Sequence, residues 1–507
     1  MAYMKDAAGR RLDAITVQDK IANMPIAPGM VPVGQNLLFP QSRLSGSASY
    51  DSWMWIPTTH DVSAVQFLMG AVDTSDNVTI NGGNRPTDGW AANDVRYAMS
   101  VQTVGGRITQ IRAGGALLFT VKAGTTLLTD IQDVDIPTGD GGFYLRLYSE
   151  RDATAGYAIP AGRIFTGQPT SGQVTAGGAN NTASAGPIAA SIVGGGSSPS
   201  PLAVYGFVPG GSRVIVGIVG DSIAAGQDDL PSMSVGYLTR ALVTNGKVPY
   251  VKVARGSERA LEFGGTASIG KVRQSLIAGC THIIHEYFIN DVTSLGAAPT
   301  QDALLASWKK QARRGALVYQ TTGTPKATST DNFLTTTNQT TQNSTDIIAV
   351  NTWIRDGAPI ISGAVAPVGA TTGAVRAGQA GHPLAGWIEV ASAVESGTNT
   401  GKWKAAAVVG VASTTSGTKD LTGVTGTWSV GDRIVGAGIP ADTWVTAVNP
   451  AGAGTLTIRN NATATASGVQ VFSPYTNDGL HPTTRGAIAL ATAPALVAFI
   501  NSLAAAR

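Results

Sequence analysis

The stretch Val214-Ile215-Val216-Gly217-Ile218-Val219-Gly220-Asp221-Ser222-Ile223-Ala224-Ala225-Gly226 reads as a buried strand that runs straight into a serine. Its apolar run is short and β-branched, and glycines end it, which is the texture of a central parallel strand. Ser222 falls where the strand stops and a helix can start. A hydroxyl there lies at the C-terminal edge of a sheet, near the positive end of a helix dipole. Two roles suit that place: a nucleophile, and an ordinary N-cap serine.

Outward from this stretch, strand-like and helical runs alternate over residues 202–404. Strands are expected over 214–219, 250–253, 283–289 and 316–320, and helices over 232–243, 270–278, 302–313 and 344–355. That alternation implies a parallel sheet covered by helices on both faces. Over 405–473 the texture changes to short strand runs with Gly and Asn turns, at 430–435, 443–448 and 454–458. This is the pattern of a small all-β module inserted into the α/β part. Residues 474–507 return to helix, with Thr483-Thr484 placed to cap a helix over 487–503.

Toward the N-terminus, residues 43–165 carry alternating, turn-punctuated segments such as 62–69, 116–121 and 143–148. They predict an antiparallel β-sandwich or jelly roll. Such a domain suits carbohydrate binding or simple support of its neighbour. Residues 166–201 are rich in Gly, Ser, Ala and Thr and read as a linker. Residues 1–42 are a polar arm followed by a Pro-containing stretch, either a flexible terminus or an attachment segment.

A chain of 507 residues is too long for one compact core. Only 13% of residues are charged and 63 are Gly, while 43% hydrophobic content is enough to build cores. That balance fits a turn-rich, β-heavy protein rather than a disordered one. A formal charge of +3 with no basic run leaves neither a nucleic-acid groove nor an anionic-membrane patch to expect. The single cysteine, Cys280, rules out a disulfide within the chain and a cysteine-based metal site. No apolar h-region opens the chain and no run of about 18 apolar residues occurs, so neither a signal peptide nor membrane insertion is expected.

A serine nucleophile needs a base, a group to orient the base, and donors for an oxyanion. Asp478-Gly479-Leu480-His481 lies just before the last helix. An Asp three residues from a His, across a turn, can bond the imidazole Nδ1 and leave Nε2 free to take a serine proton. Asn290, at the end of the strand expected over 283–289, can aim its amide N–H at an oxyanion. A backbone N–H in Arg255-Gly256-Ser257-Glu258-Arg259 is a second donor, and that of Ser222 a third. His282 and His285 flank an apolar pair on a strand and read as core histidines. His60 and His382 sit beside turn residues, and no cluster has metal-ligand spacing. Trp308, Trp353, Trp387 and Trp403 suit packing more than a sugar site.

Gly220-Asp221-Ser222, the loop at Gly256 and Ser257, Asn290-Asp291, and Asp478-Gly479-Leu480-His481 occur in the order of the four blocks of the SGNH (GDSL) hydrolase superfamily. The resemblance covers residues 202–404 and 474–507. It implies a three-layer, flavodoxin-like α/β hydrolase domain, with no cofactor and no metal. It further implies Ser222 as nucleophile, Asp478 and His481 completing the triad, and an oxyanion hole of Ser222, Gly256 or Ser257, and Asn290. The sequence departs from the family at two points. The family's donor glycine is usually followed by an acidic residue, which is the place of Ser257 before Glu258, so Gly256 and Ser257 both stay open. The family's glycine two residues before Asn290 is Phe288, which either narrows the site or points into the core.

Val318-Tyr319-Gln320-Thr321-Thr322 and Val350, Asn351 and Trp353 look like the acetyl-carbohydrate esterase type of this superfamily. Lys5-Asp6-Ala7-Ala8-Gly9-Arg10-Arg11-Leu12-Asp13 resembles the start of bacteriophage tail fibre and tailspike proteins. The module around Val430-Gly431-Asp432 and Gly436-Ala437-Gly438-Ile439-Pro440 is similar to small β modules of phage tails. Together these resemblances imply a tail esterase in the virion that removes O-acetyl groups from a host surface polysaccharide. They also imply attachment to other tail proteins through the arm and a homotrimer; the inserted module, just upstream of Asp478, is expected to form a wall of the cleft. Two alternatives stand beside this: a bacterial carbohydrate acetylesterase without a virion role, and a non-catalytic, glycan-binding tail adhesin.

Overall fold

The computed structural model describes residues 30–33, 42–58, 60–73, 77–80, 83–86, 89–90, 93–123, 125–154, 157, 159–163, 173–188, 192–193, 197–209, 214–230, 235–246, 248–264, 271–313, 315–406 and 408–506. Most of the arm expected over 1–42, and residues 166–172, 189–191 and 194–196 of the stretch read as a linker, lie outside them.

Five parallel strands carry the site: β1 (Val216–Val219), β2 (Tyr250–Lys252), β3 (His282–His285), β4 (Leu317–Thr321) and β5 (Leu384–Ile388), in the order β2-β1-β3-β4-β5. Every pairing between them is parallel. All four residues of β1 are buried, as its unbroken apolar run requires of a strand with neighbours on both sides. Helices Ala297–Ala312 and Ser344–Arg355 pack with the sheet in a core that contains Trp308, Trp353 and Trp403. These three tryptophans are fully buried, which removes them as sugar-lining residues. Trp308 and Trp353 stack with ring centroids 5.4 Å apart. Trp387 is partly buried against the same core.

Several predicted boundaries shift. The strand expected over 283–289 ends at His285, and a helix, Ile289–Leu295, begins four residues later, so Asn290 sits in a first helical turn rather than on a strand end. The apolar Tyr287-Phe288-Ile289 run is buried in the core without extending the sheet, a case in which burial and strand look alike in sequence. Phe288 points into the core, where Gly323 leaves room for its ring: a Cβ built on Gly323 would lie 2.0 Å from it. The helix expected over 487–503 is two helices, Thr484–Ala491 and Pro494–Ala505, bent by 58°. Pro494 lacks the N–H that would continue the first helix and instead opens the second. The helix expected over 232–243 is Tyr237–Ala241 followed by a π-helical turn, and residues 232–234 lie outside the described residues.

Two antiparallel sheets precede this part. One runs Met30–Pro32, Ala203–Phe207, Val62–Gly70, Thr126–Leu128; the other centres on Val95–Gln102, Gly142–Arg151, Ser49–Pro57 and Gln173–Ala176. Val65, Phe67 and Met69 share a cluster with Met54, Met99, Phe143 and Leu145 of the second sheet. Leu68, Ala203 and Tyr205 point the other way, into the core of the parallel sheet. The period of two thus buries the first sheet on both faces. Ala203–Phe207, expected within the hydrolase part, pairs with Val62–Gly70. Gln173–Ala176 and Ser197–Pro199, read as linker, are paired strands as well. Backbone pairing is indifferent to side-chain size, so Gly/Ser/Ala composition concealed it.

Residues 408–472 form a separate β unit. Val408–Thr414 pairs with Ala466–Phe472, and Asp420–Leu421, Leu456–Ile458 and Val445–Val448 make a second small sheet around Trp428, Ile434 and Leu456. The strand expected over 430–435 is absent. That segment turns at Gly431 (φ 94°) and makes only the isolated bridges Arg433–Trp444 and Val435–Phe472. Among the described residues no single helix is long and apolar enough to cross a membrane.

Candidate active site

Three loops at the C-terminal edge of the sheet converge on Ser222. β1 delivers Gly220 and Asp221, and Ser222 opens the short helix Ser222–Ala225. The cap of that helix is Asp221, whose carboxylate accepts from the Ile223 N–H at 2.9 Å. Ser222 is therefore not the N-cap, and its hydroxyl is engaged elsewhere. Gly220 has no room for a side chain, since a Cβ there would lie 2.5 Å from the Glu286 carboxylate and 2.6 Å from Ala224.

His481 Nε2 lies 2.8 Å from Ser222 Oγ, and His481 Nδ1 lies 2.6 Å from Asp478 Oδ2. An ionised carboxylate only accepts, so Nδ1 carries the proton and Nε2 accepts from the serine hydroxyl. The other oxygen of Asp478 accepts from the backbone N–H groups of His481 and Leu480, at 2.8 and 2.9 Å. The loop is fixed by Thr476, which donates to the His481 carbonyl and accepts from the Gly479 N–H. Gly479 sits at φ 78°, and its carbonyl accepts from Ala327 N–H and Trp403 Nε1 at 3.0 Å each. A Cβ on Gly479 would fall 1.6 Å from the Ala327 carbonyl oxygen, so only glycine fits. Thr483 caps the helix that follows, as its side chain accepts from the Gly486 N–H.

The pKa shifts follow from this geometry. Burial alone would disfavour protonated His481, but the Asp478 hydrogen bond and charge, with Asp221 and Asp228 nearby, raise its pKa above the ordinary 6.5. Burial opposes ionisation of Asp478, yet its bonds to His481 and to the His481 and Leu480 N–H groups outweigh it and hold the carboxyl below its usual range. Beneath the serine, burial pushes Asp221 up to about 7. Burial and the neighbouring Asp221 carry Glu286 well above an ordinary carboxyl.

A base at Nε2 works only when unprotonated. Its activity is lost as pH falls through the raised His481 pKa, so the acid limb of kcat/KM is expected above pH 6.5. Asp478→Asn removes the main cause of the elevation. A pH–rate profile of that variant is expected to show the limb at lower pH and a reduced plateau. An unmoved limb would mean that another group titrates.

Beyond Ser222 itself, the candidate oxyanion donors lie on the loop of residues 255–259 and in the first turn of Ile289–Leu295. A Cβ built on Gly256 would have Ser222 Cβ as its nearest contact, at 3.9 Å, which puts the Gly256 backbone beside Ser222. Ser257 is exposed and held at φ 62°. Asn290 Nδ2 donates to the Glu258 carbonyl at 3.1 Å, which ties the first turn of its helix to the Gly256 loop. Asp291 completes the tie, since its carboxylate accepts from Ala260 and Leu261 N–H at 2.8 and 3.2 Å.

The supports of this loop had no signal in the sequence. Glu258 pairs with Arg273, both wholly buried, and Tyr287 donates its hydroxyl to the same carboxylate. Lys252 is buried and donates to the Val235 carbonyl at 2.8 Å, and burial lowers its pKa to about 7. His285 is a core residue held between Gln320 Oε1 and Ser307 Oγ, each at 2.8 Å. Cys280 is buried, its thiol pushed up to about 12. Among the described residues no group of three or more His, Cys, Asp and Glu side chains can hold a metal ion.

The β unit of residues 408–472 abuts this site. Asn477, next to Asp478, donates to Asp442 at 3.2 Å, and Arg485 reaches Asp432 at 3.4 Å. Gly431 lies against the Leu230 carbonyl and Thr484, and Thr484 itself donates to the Leu230 carbonyl at 2.9 Å.

No protein-family model matches the chain, and no curated protein matches it. Among solved structures it is similar to a candidate acylhydrolase from Bacteroides fragilis, with 14% identity, a TM-score of 0.28, and coverage of 58% of this chain and 88% of that one. A catalytic mutant of an acetylxylan esterase from Geobacillus stearothermophilus shares 14% identity at a TM-score of 0.19, over 23% of this chain and 62% of the other. An active-site mutant of a family two carbohydrate esterase from Clostridium thermocellum shares 11% identity at a TM-score of 0.20, over 59% and 78%.

Proposed function

We propose that this chain is a serine esterase of the SGNH (GDSL) type that removes O-acetyl groups from a host surface polysaccharide, carried on a bacteriophage tail fibre or spike. The observation that carries the esterase reading is the relay from Ser222 Oγ through His481 to Asp478, at 2.8 and 2.6 Å. The Gly256 backbone beside the serine supports it, and the Asn290 amide is tied to the Glu258 carbonyl of the same loop.

In this mechanism Ser222 Oγ attacks the acetyl carbonyl while His481 Nε2 takes its proton. Asp478 stabilises the imidazolium and keeps the ring oriented. The carbonyl oxygen becomes an oxyanion, held by backbone N–H groups of Ser222 and of Gly256 or Ser257 and by the Asn290 amide. His481 then protonates the departing sugar oxygen, the C–O bond breaks, and an acetyl-serine remains. Water, deprotonated by His481, attacks that ester, and acetate leaves as the serine recovers its proton. Asn290→Ala is expected to lower kcat by roughly 10²–10³-fold with little change in KM, the signature of a donor used in the transition state. Steady-state kinetics on an acetate ester check this, and a change confined to KM would assign Asn290 to ground-state binding.

The tail assignment rests on the resemblance of residues 5–13 and of the inserted module to phage tail proteins. A homotrimer attached to other tail proteins through the arm belongs to the same proposal. Acetate release from purified O-acetylated capsule or lipopolysaccharide tests the substrate. Activity confined to lipid esters would replace it with a lipase-like function. Immunoelectron microscopy of virions tests the location, and virions without label would leave a cellular carbohydrate esterase.

A further inference from the structure

Glu286 directly follows β3, and its N–H donates to the Val219 carbonyl at 2.8 Å, which sets it alongside the end of β1. Its side chain reaches the turn that carries the nucleophile. Oε2 accepts from the Asp221 N–H at 3.3 Å, and the carboxyl also bonds the Ala224 N–H. These two N–H groups bracket Ser222 in the chain. The fit is close: a Cβ on Gly220 would lie 2.5 Å from Oε2 and 2.9 Å from the Glu286 Cβ. From the segment after β2, on the opposite edge of β1, the Arg255 N–H donates to the Gly220 carbonyl at 2.9 Å. The turn of residues 220–224 is thus held by a backbone group from one neighbouring strand and by a side chain from the other.

That side chain sits in a dry place beside a second carboxyl. Glu286 is 6% exposed and Asp221 is wholly buried. Neither pairs with a Lys or Arg among the described residues, and Asp221 Oδ2 is buried without a hydrogen-bond partner. Two adjacent buried carboxyls without a cation between them do not both ionise. Burial, and then the neighbouring Asp221, raise the Glu286 pKa well above the ordinary 4.5, so Glu286 keeps its proton at neutral pH.

We propose that Glu286 is a positioning residue for the nucleophile: an uncharged carboxyl that fixes the turn of residues 220–224 and with it the reach of Ser222 Oγ to His481 Nε2. It acts through the backbone and not on the reacting atoms. The inference rests on the esterase reading above and adds a residue that neither the triad nor the oxyanion donors include. A nucleophile displaced by about 1 Å loses on the order of 10²-fold in rate, so a loosened turn is expected to show in turnover.

The test compares Glu286→Asp and Glu286→Gln with the wild type on 4-nitrophenyl acetate, per folded molecule, with urea unfolding fixing the folded fraction. Asp keeps a carboxyl but stops one methylene short of the Asp221 N–H. Gln keeps the length, accepts through its carbonyl oxygen and carries no charge. Glu286→Asp is expected to lower kcat about tenfold to a hundredfold with KM within about threefold. Glu286→Gln is expected to keep kcat within about threefold of the wild type. An unchanged kcat in Glu286→Asp, with only the unfolding midpoint lowered, would make Glu286 a stability residue and overturn the inference while leaving the esterase. A loss in Glu286→Gln as large as in Glu286→Asp would show that a charged Glu286 is required and overturn it too. No turnover by the wild type would remove the esterase reading and this inference together.

Discussion

Ser222→Ala is expected to lower turnover of 4-nitrophenyl acetate by on the order of 10⁵-fold, leaving only what the oxyanion donors and binding supply. The size of the effect follows from the serine's single engagement. Its hydroxyl is not a helix cap, because Asp221 performs that role for the Ile223 N–H. Its oxygen bonds His481 Nε2. Removing it takes away the atom that forms the acyl-enzyme and leaves nothing on the histidine to activate except water. Stability is expected to stay within about 1 kcal/mol, since one small buried oxygen is lost and no cap is broken. Unchanged turnover in a correctly folded variant would place the chemistry elsewhere.

Arg273→Met is expected to cost about 3–5 kcal/mol of stability, read as a lower midpoint of urea unfolding. Arg273 and Glu258 are both fully buried and paired, and the arginine also donates to the Val253 carbonyl at 3.2 Å. Methionine fits the space but leaves the Glu258 carboxylate without its countercharge in a dry interior. The consequence reaches the site, because the Glu258 carbonyl holds Asn290 and the segment before it carries Gly256 and Ser257. Turnover per folded molecule is therefore expected to fall with stability. Adding Glu258→Gln is expected to restore much of the lost stability, since the uncompensated charge is gone. A single variant as stable as the wild type would show that the pair is dispensable.

The Ser222–His481–Asp478 arrangement was legible because the chain has only 5 His and one of them follows an Asp at a fixed offset. Asp478 and His481 lie three apart before a helix, and Ser222 ends an apolar run. The apolar run also located β1 correctly at its C-terminal end, where the site is. What could not be read were features set by distant partners. Leu384–Ile388 joins the parallel sheet as an edge strand, and a short run containing Gly386 gives no periodicity from which to infer that. The pairing of Gln173–Ala176 with Ser49–Pro57 is made by backbone groups that composition does not register. Pro494 was visible and is the residue that splits the last helix; the apolar spacing on either side obscured it. The Glu258–Arg273–Tyr287 cluster spans three separate segments, so each residue alone looks like an ordinary surface charge or aromatic.

Covalent trapping tests the central claim most directly. The protein is incubated with an alkyl phosphonate ester that carries a good leaving group, digested, and mapped by mass spectrometry. The proposed mechanism predicts one adduct, on Ser222, formed with concurrent loss of esterase activity and strongly slowed in His481→Ala. Adduct formation on another residue, or full activity with Ser222 unmodified, would contradict it.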